Sequence, residues 1–390
     1  MKVMTAMYTL RKGGSYDRFK MMIESFLEKQ WEVHCLSLTP IQIENTFFHN
    51  HVVDFLFKTT NGFIAKLAVL SIFPLWSVWI VWRNKIDLLI AFGSLYAFIQ
   101  GLSKWSLKRP MVTLIRGSLV FGFKMQDSPK YFQHVNRFLE KWGLLFSDRI
   151  ITNNVSARDD ILKSLGGRKN IDVQVLYNNI PPMNIRETEN ISETREKYGL
   201  PKDAKVLVTA GILNRGKNIE MLINCLPRIG IKNLYLLVVG DGSTETDFRY
   251  RDSLQGLAKI LEVDKKVIFT GWLEKEDLWK IYLASDLFIL PSLSEGMPNA
   301  MLEALGSGLP CMGSNIPGIK DILQYEELMF DPSDKKAIGE KIEWAFSDVQ
   351  FFEKMKTLCL ERKKVFAFDW KKELFQMMTK GTLYRDETCR

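Results

Sequence analysis

Residues 286–323 read DLFILPSLSEGMPNAMLEALGSGLPCMGSNIPGIKDIL. Asp286 to Leu290 is a short apolar run with the composition of a buried strand. A turn with Ser294, Glu295 and Gly296 follows, and Pro298 is expected at the first helical position, where its missing N–H costs nothing. Asn299, Ala300 and Met301 then present backbone amides at a helix N-terminus. Gly296 lets the backbone approach a ligand closely, and Pro310 to Gly313 begins the next strand. Strand, turn, helix and strand in this order form the unit of a parallel sheet covered on both faces.

The alternation continues outward. Toward the N-terminus, Val206 to Ala210, Tyr235 to Gly240 and Lys266 to Thr270 read as strands with helical patterns between them. Further back come Lys2 to Met7, a helical Tyr16 to Lys29, and strands at Glu32 to Leu38, Asp87 to Ala91, Met111 to Ile115, Arg149 to Thr152 and Val173 to Tyr177. His49-Asn50-His51 reads as loop. Pro181-Pro182 opens a polar stretch from Asn184 to Lys202 that marks a boundary. The expected class is α/β, with Rossmann-like, doubly wound domains at residues 1–183 and 184–369 facing a central cleft. Amphipathic helices at Lys336 to Phe346, Phe351 to Val365 and Lys371 to Met378 close the chain. The break at Phe368-Asp369-Trp370 lets the last helix, about residues 370–390, return to the first domain.

With 390 residues the chain is too long for one ordinary core, which supports the two-domain reading. Apolar residues at 46% and charged residues at 25% exclude a disordered or disulfide-rich class. The five cysteines are scattered without metal-site spacing, and polar residues follow the first strand at once, so the expected setting is cytoplasmic, without a signal peptide. A formal charge of +8 favours anionic partners, but basic residues interleave with acids, as in Arg195-Glu196-Lys197, which argues against nucleic acid.

The amides at residues 299–301, with the positive end of the helix dipole, make a diphosphate site at the C-terminal edge of a parallel sheet. Glu295 precedes that helix and Glu303 lies along it, so their carboxylates can accept hydrogen bonds from sugar hydroxyls at opposite ends of a ligand. Here the sequence resembles the retaining glycosyltransferases of family 4, whose fold is called GT-B. Their hallmark is a pair of glutamates spaced as Glu295 and Glu303, within a run like SEGMPNAMLEALGSGLP. The resemblance implies that Glu295 contacts the transferred sugar and Glu303 the ribose of a nucleotide-sugar donor, with Gly296, Met297, Pro298, Asn299, Ala300 and Met301 around the diphosphate.

Further matches occur in the family's order. AGILNRGKNIEMLI, from Ala210 to Ile223, resembles the loop that carries a phosphate-binding lysine, here Lys217, with Arg215 and Gly211 nearby. VVGDGS and FTGWL resemble the strand ends that border the base, and bring in Gly240, Gly271 and Leu273. Gly13-Gly14 resembles the glycine loop of the first domain. Two positions depart from the pattern. Ile212 stands where many relatives have arginine, and Arg116-Gly117 where many have His-Gly, so Arg116 offers a sugar or phosphate contact. The likeness is tight over residues 200–325.

The resemblance implies metal-independent, retaining transfer of a hexosyl group, with UDP favoured, to a glycan or glycolipid acceptor of polysaccharide or lipopolysaccharide biosynthesis. Lys217, Arg215 and the helix amides would offset the charge gathering on the leaving diphosphate. No Asp-X-Asp occurs, all four histidines (His34, His49, His51, His134) lie far from the glutamates in the chain, and no cofactor is expected. Rival readings are a sugar-nucleotide epimerase of the same fold and a non-catalytic sugar-nucleotide binder. The apolar run Leu67 to Trp82 contains Pro74 and is shorter than the roughly 20 residues needed to span a bilayer. It reads either as a buried helix or as an anchor placing Trp76, Trp79 and Trp82 at an anionic membrane, on its inner face.

Overall fold

The computed structural model describes residues 1–7, 14–53, 63–116, 130–166, 171–183 and 191–379. Within it the chain divides into two compact units, Met1–Tyr177 with Asp369–Arg390, and Asn178–Phe368.

The first unit is built on seven parallel strands: β1 Lys2–Met7, β2 Glu32–Ser37, β3 Phe48–Val52, β4 Leu88–Phe92, β5 Met111–Ile115, β6 Arg149–Thr152 and β7 Asp172–Val175. Their spatial order is β3-β2-β1-β4-β5-β6-β7, so the winding reverses between β1 and β4. β4 and β5, with sequences LLIAF and MVTLI, are buried at every position, as a strand covered on both faces must be.

The His49-Asn50-His51 segment is not a loop. It forms edge strand β3, in parallel register with β2. Its polar residues gave no apolar pattern to read, because side-chain hydrogen bonding replaces burial here. Asn50 accepts from Ile41 N at 2.6 Å and donates to Cys35 O at 3.1 Å and Ser37 Oγ at 2.8 Å.

The helices Ser94–Leu107 and Lys130–Leu145 pack closely on each other because two glycines let them. A Cβ on Gly143 would lie 2.1 Å from the Ser94 carbonyl oxygen, and one on Gly101 would lie 2.3 Å from the Phe146 ring. The apolar run lies in the helix Phe63–Asn84, which contains Pro74. Phe73, Ser77, Ile80 and Val81 form its buried side, while Leu75, Trp79 and Trp82 are exposed. No described helix is long and apolar enough to cross a membrane.

The last helix, Trp370–Thr379, packs on Gly14–Leu27 in this same unit. It buries Trp370, Leu374 and Met378, and Lys371 reaches Glu24 at 2.9 Å and Glu28 at 2.7 Å. Arg149, nearly buried, pairs with Asp172 at 2.8 Å and donates to the Met377 carbonyl.

The second unit has six parallel strands: β8 Lys205–Ala210, β9 Leu234–Val239, β10 Val267–Gly271, β11 Leu287–Leu290, β12 Cys311–Ser314 and β13 Met329–Phe330. Their order is β10-β9-β8-β11-β12-β13, with the reversal between β8 and β11. Asp286, just before β11, accepts from Val206 N at 2.8 Å and from Arg195 at 3.1 Å, and so serves the sheet. Asp241, after β9, pairs with Arg251 at 2.9 Å.

Candidate functional site

In an open parallel sheet a crevice forms at the carboxyl ends of the strands where the winding reverses. In the second unit that point lies between β8 and β11. The loop after β8 carries a single turn of 3-10 helix, Arg215–Lys217, and the loop after β11 carries Glu295. These two loops meet.

Asn218 fixes the first loop. Its backbone is left-handed, with φ 54°, a conformation asparagine tolerates better than most residues. Its buried amide donates to Pro291 O at 3.1 Å and Pro332 O at 2.9 Å, tying the turn to the ends of β11 and β13. Leu293 N donates to Gly216 O at 2.8 Å, which closes the loops on each other. Lys217 Nζ thereby comes to 2.6 Å from Glu295 Oε1, and Ser292 Oγ donates to the same oxygen at 2.7 Å. The pair is mostly buried, at 19% and 12% side-chain exposure, so the charges interact more strongly than an exposed pair does.

Both donors reach Oε1, and Glu295 Oε2 takes none among the described residues. The site thus offers a second carboxylate oxygen and an ammonium with donor capacity remaining. Gly318, with φ 79°, supports this loop from the far side. A Cβ there would lie 2.2 Å from Gly296 O and 2.8 Å from Glu295 O.

Three glycines line the strand ends beside the pair. Gly240 has φ 117°, and a Cβ on it would sit 2.0 Å from the Gly211 carbonyl oxygen. Gly240 N donates to Gly271 O at 2.9 Å, so Gly211, Gly240 and Gly271 close up the ends of β8, β9 and β10. Leu273 follows, partly buried.

The helix after β11 is Asn299–Gly306. Pro298 is not its first residue. It occupies the cap position, with extended backbone, and supplies no capping side chain. The proline ring still suits the site, because its φ of −72° lies in the range proline fixes. Asn178 holds this corner: its side-chain amide donates to Met297 O at 3.0 Å and Asn299 Oδ1 at 2.9 Å. Met297 and Met301 are buried, Ala300 and Glu303 partly so. The fully buried Tyr282 hydroxyl hydrogen-bonds the Glu303 carboxylate, and burial together with that charge raises the tyrosine pKa well above its ordinary value. The Tyr282 hydroxyl also donates to Ala300 O at 3.4 Å.

Arg215 is exposed, and its guanidinium makes no ion pair among the described residues. Gly14 and Arg116 lie in the first unit, where Arg116 Nη1 donates to Gly14 O at 3.2 Å and the guanidinium sits 5.8 Å from the Phe92 ring centroid. Burial, reinforced by the nearby Arg18 charge, lowers the Arg116 pKa. Gly13 lies outside the described residues, as do Gly117 and Cys389. Trp79 and Trp82 are exposed, and Trp76 is partly buried with its ring 5.7 Å from that of Trp79.

Sequence reasoning missed Asn178, Asn218, Tyr282, Ser292 and Gly318. Ser292 and Asn218 stand close to Glu295 and Lys217 in the chain, and that proximity was the available signal. Asn178 and Tyr282 act across long sequence separations and carry none.

Residues 190–358 match the family described as glycosyl transferases group 1. The chain is 29% identical over 314 residues to an uncharacterized glycosyltransferase of Methanocaldococcus jannaschii, covering 78% of this chain and 75% of that one. It is 29% identical over 213 residues to an Escherichia coli UDP-Gal:alpha-D-GlcNAc-diphosphoundecaprenol alpha-1,3-galactosyltransferase, spanning 53% of each, about half the length of that relative. Among solved structures, sucrose-phosphate synthase from Thermosynechococcus elongatus shares the fold with a TM-score of 0.78 over 97% of both chains at 19% identity. HepE of Anabaena, solved with UDP and glucose, does so with a TM-score of 0.77 over 98% of this chain and 100% of that one at 17% identity. Most of the second unit thus matches the glycosyl transferases group 1 model, and the chain shares the fold of GT-B glycosyltransferases.

Proposed function

We propose that the chain is a retaining enzyme of glycosyltransferase family 4 that moves a hexosyl group from a nucleoside-diphosphate sugar to a glycan or glycolipid acceptor. The observation that carries this reading is the Lys217–Glu295 pair, 2.6 Å apart where the winding of the second sheet reverses, beside the Asn299–Gly306 helix N-terminus. UDP is the proposed nucleotide, supported by the UDP complex of HepE.

On this reading the donor diphosphate lies against the helix amides, and Lys217 shares its charge between Glu295 and a phosphate oxygen. Glu295 Oε2 accepts from a hydroxyl of the transferred sugar, and Glu303, hydrogen-bonded to Tyr282, accepts from the ribose. Gly240 and Gly271, with Leu273, border the base. Arg215 supplies further positive charge to the phosphates. The bond from the anomeric carbon to the diphosphate oxygen breaks as that from the acceptor hydroxyl forms on the same face. The departing oxygen takes the acceptor's proton, and no metal or cofactor is needed. A panel of nucleotide sugars screened for thermal stabilisation tests the donor site. At least one UDP-sugar is expected to raise the apparent Tm of the wild type, and Glu303→Ala to abolish most of that rise. No stabilisation by any donor would refute the assignment.

The proposed acceptor is lipid-linked, and exposed aromatic residues of the first unit support that reading. Leu75, Trp79, Trp82, Trp105, Phe138 and Trp142 are exposed on three helices that pack in succession, Phe63–Asn84, Ser94–Leu107 and Lys130–Leu145. Arg83, Lys108, Arg137 and Lys141, also exposed, lie on or beside the same helices. Aromatic residues with basic neighbours suit an anionic lipid surface. Sedimentation with phosphatidylglycerol vesicles is expected at low salt, weakened at high salt and weakened by replacing Trp79 and Trp82 with serine. Wild-type protein that stays in the supernatant at both salt concentrations would rule the surface out.

A further inference from the structure

We propose that Glu32, His34 and His49 form a binding site for a divalent transition-metal ion, zinc in particular, at the edge of the first sheet. The three come from adjacent strands. β2 supplies Glu32 and His34, and β3 supplies His49 in register with His34. One ligand atom from each lies within 4.8 Å of the other two. Glu32 Oε1 is 3.0 Å from His34 Nε2 and 3.3 Å from His49 Nε2. Tetrahedral zinc, with bonds to nitrogen and oxygen of about 2.0–2.1 Å, holds its ligand atoms roughly 3.3 Å apart. The side chains therefore stand near ligating separation.

The groups behind these three are arranged as supports. Lys2 Nζ binds Glu32 Oε2 at 2.8 Å, which turns Oε1 toward the histidines. His34 Nδ1 lies 2.9 Å from His51 Nε2. When His34 donates through Nδ1, its Nε2 is a bare lone pair facing Glu32 Oε1, and a cation is what joins two such acceptors.

His34 is 3% exposed and His49 42%, so the site is anchored in the sheet and open to solvent on one side. Two histidines, a carboxylate and a remaining position for water make a ligand set that zinc uses, and nitrogen-rich sets of this kind also take cobalt(II). None of these residues enters the transfer chemistry. A bound ion would instead staple β3, whose side chains are only half-buried, to β2.

The test uses full-length protein treated with EDTA and dialysed, then titrated calorimetrically with zinc chloride, and with cobalt(II) chloride while tetrahedral d–d absorption is followed. One ion per chain is expected, with a rise in apparent Tm. His49→Ala changes an exposed residue and is expected to fold but to bind at least tenfold more weakly. His51→Gln, which alters the hydrogen bond to His34 and removes the ring stacked on it, is expected to weaken binding about 10- to 100-fold. His134→Ala, on an exposed helix face elsewhere in the unit, should match the wild type. Absence of stoichiometric zinc binding by the wild type, or equal affinity in His49→Ala, would overturn the proposal. Neither result bears on the transferase site.

Discussion

Lys217→Ala is expected to lower kcat by about 10²- to 10³-fold, the effect of removing one preorganised charge from a transition state that gathers negative charge. The apparent KM for the donor should move far less, because the charge on the diphosphate grows as the glycosidic bond breaks. The structure adds a second reason for a large effect. Without Lys217, Glu295 keeps, among the described residues, the Ser292 hydrogen bond alone at 12% exposure, an uncompensated charge in a poorly solvated loop. The Lys217→Ala, Glu295→Ala double variant should therefore lose much less activity than the single losses multiplied together, since the two side chains act as a unit. Steady-state kinetics of the four proteins measure this directly. Additive losses would show that the pair is not coupled in the working enzyme.

Gly318→Ala is expected to damage stability and activity together. The new Cβ would lie 2.2 Å from Gly296 O, at a backbone φ of 79°. Overlap of this kind costs about 1–3 kcal/mol, and the left-handed backbone adds about 1–2 kcal/mol for a residue with a side chain. The overlap is with backbone, so no side-chain rotation relieves it, and the loop carrying Glu295 and Gly296 has to move. A displacement near 1 Å of a positioning group can cost about 10²-fold in rate. Urea denaturation and kcat/KM on the same preparation check both parts. Wild-type activity in a destabilised variant would mean that Gly318 supports the fold and not the placement of Glu295.

The fold was legible wherever strands are apolar runs. LFIL, LYLLVV, LLIAF and MVTLI announce buried parallel strands through their composition alone. Strand β3 was not legible, since FHNHV holds the sheet edge with hydrogen bonds and stacked imidazoles. Nor was β13, a two-residue strand too short to form a pattern. In the site, Lys217 and Glu295 each stood out in the sequence. Their salt bridge did not, because it depends on β8 and β11 being neighbours despite two intervening strands. Asn178 and Tyr282 were invisible for the same reason: each acts on a group brought near by tertiary packing, with no local spacing to betray it. Pro298 was read one position too far into its helix, a shift small in sequence but decisive for which amide is first left without an intrahelical acceptor.

The most direct test of the proposed reaction is acceptor-dependent release of nucleoside diphosphate, measured for wild type and Lys217→Ala side by side with a UDP-sugar and a lipid-linked glycan. The expected result is release by the wild type only when acceptor is present, with the anomeric configuration of the donor kept in the product and the rate in Lys217→Ala lower by two to three orders of magnitude, about 10²- to 10³-fold. Release with an inverted product, or equal rates in the two proteins, would contradict the assignment of Lys217 and Glu295 to a retaining donor site.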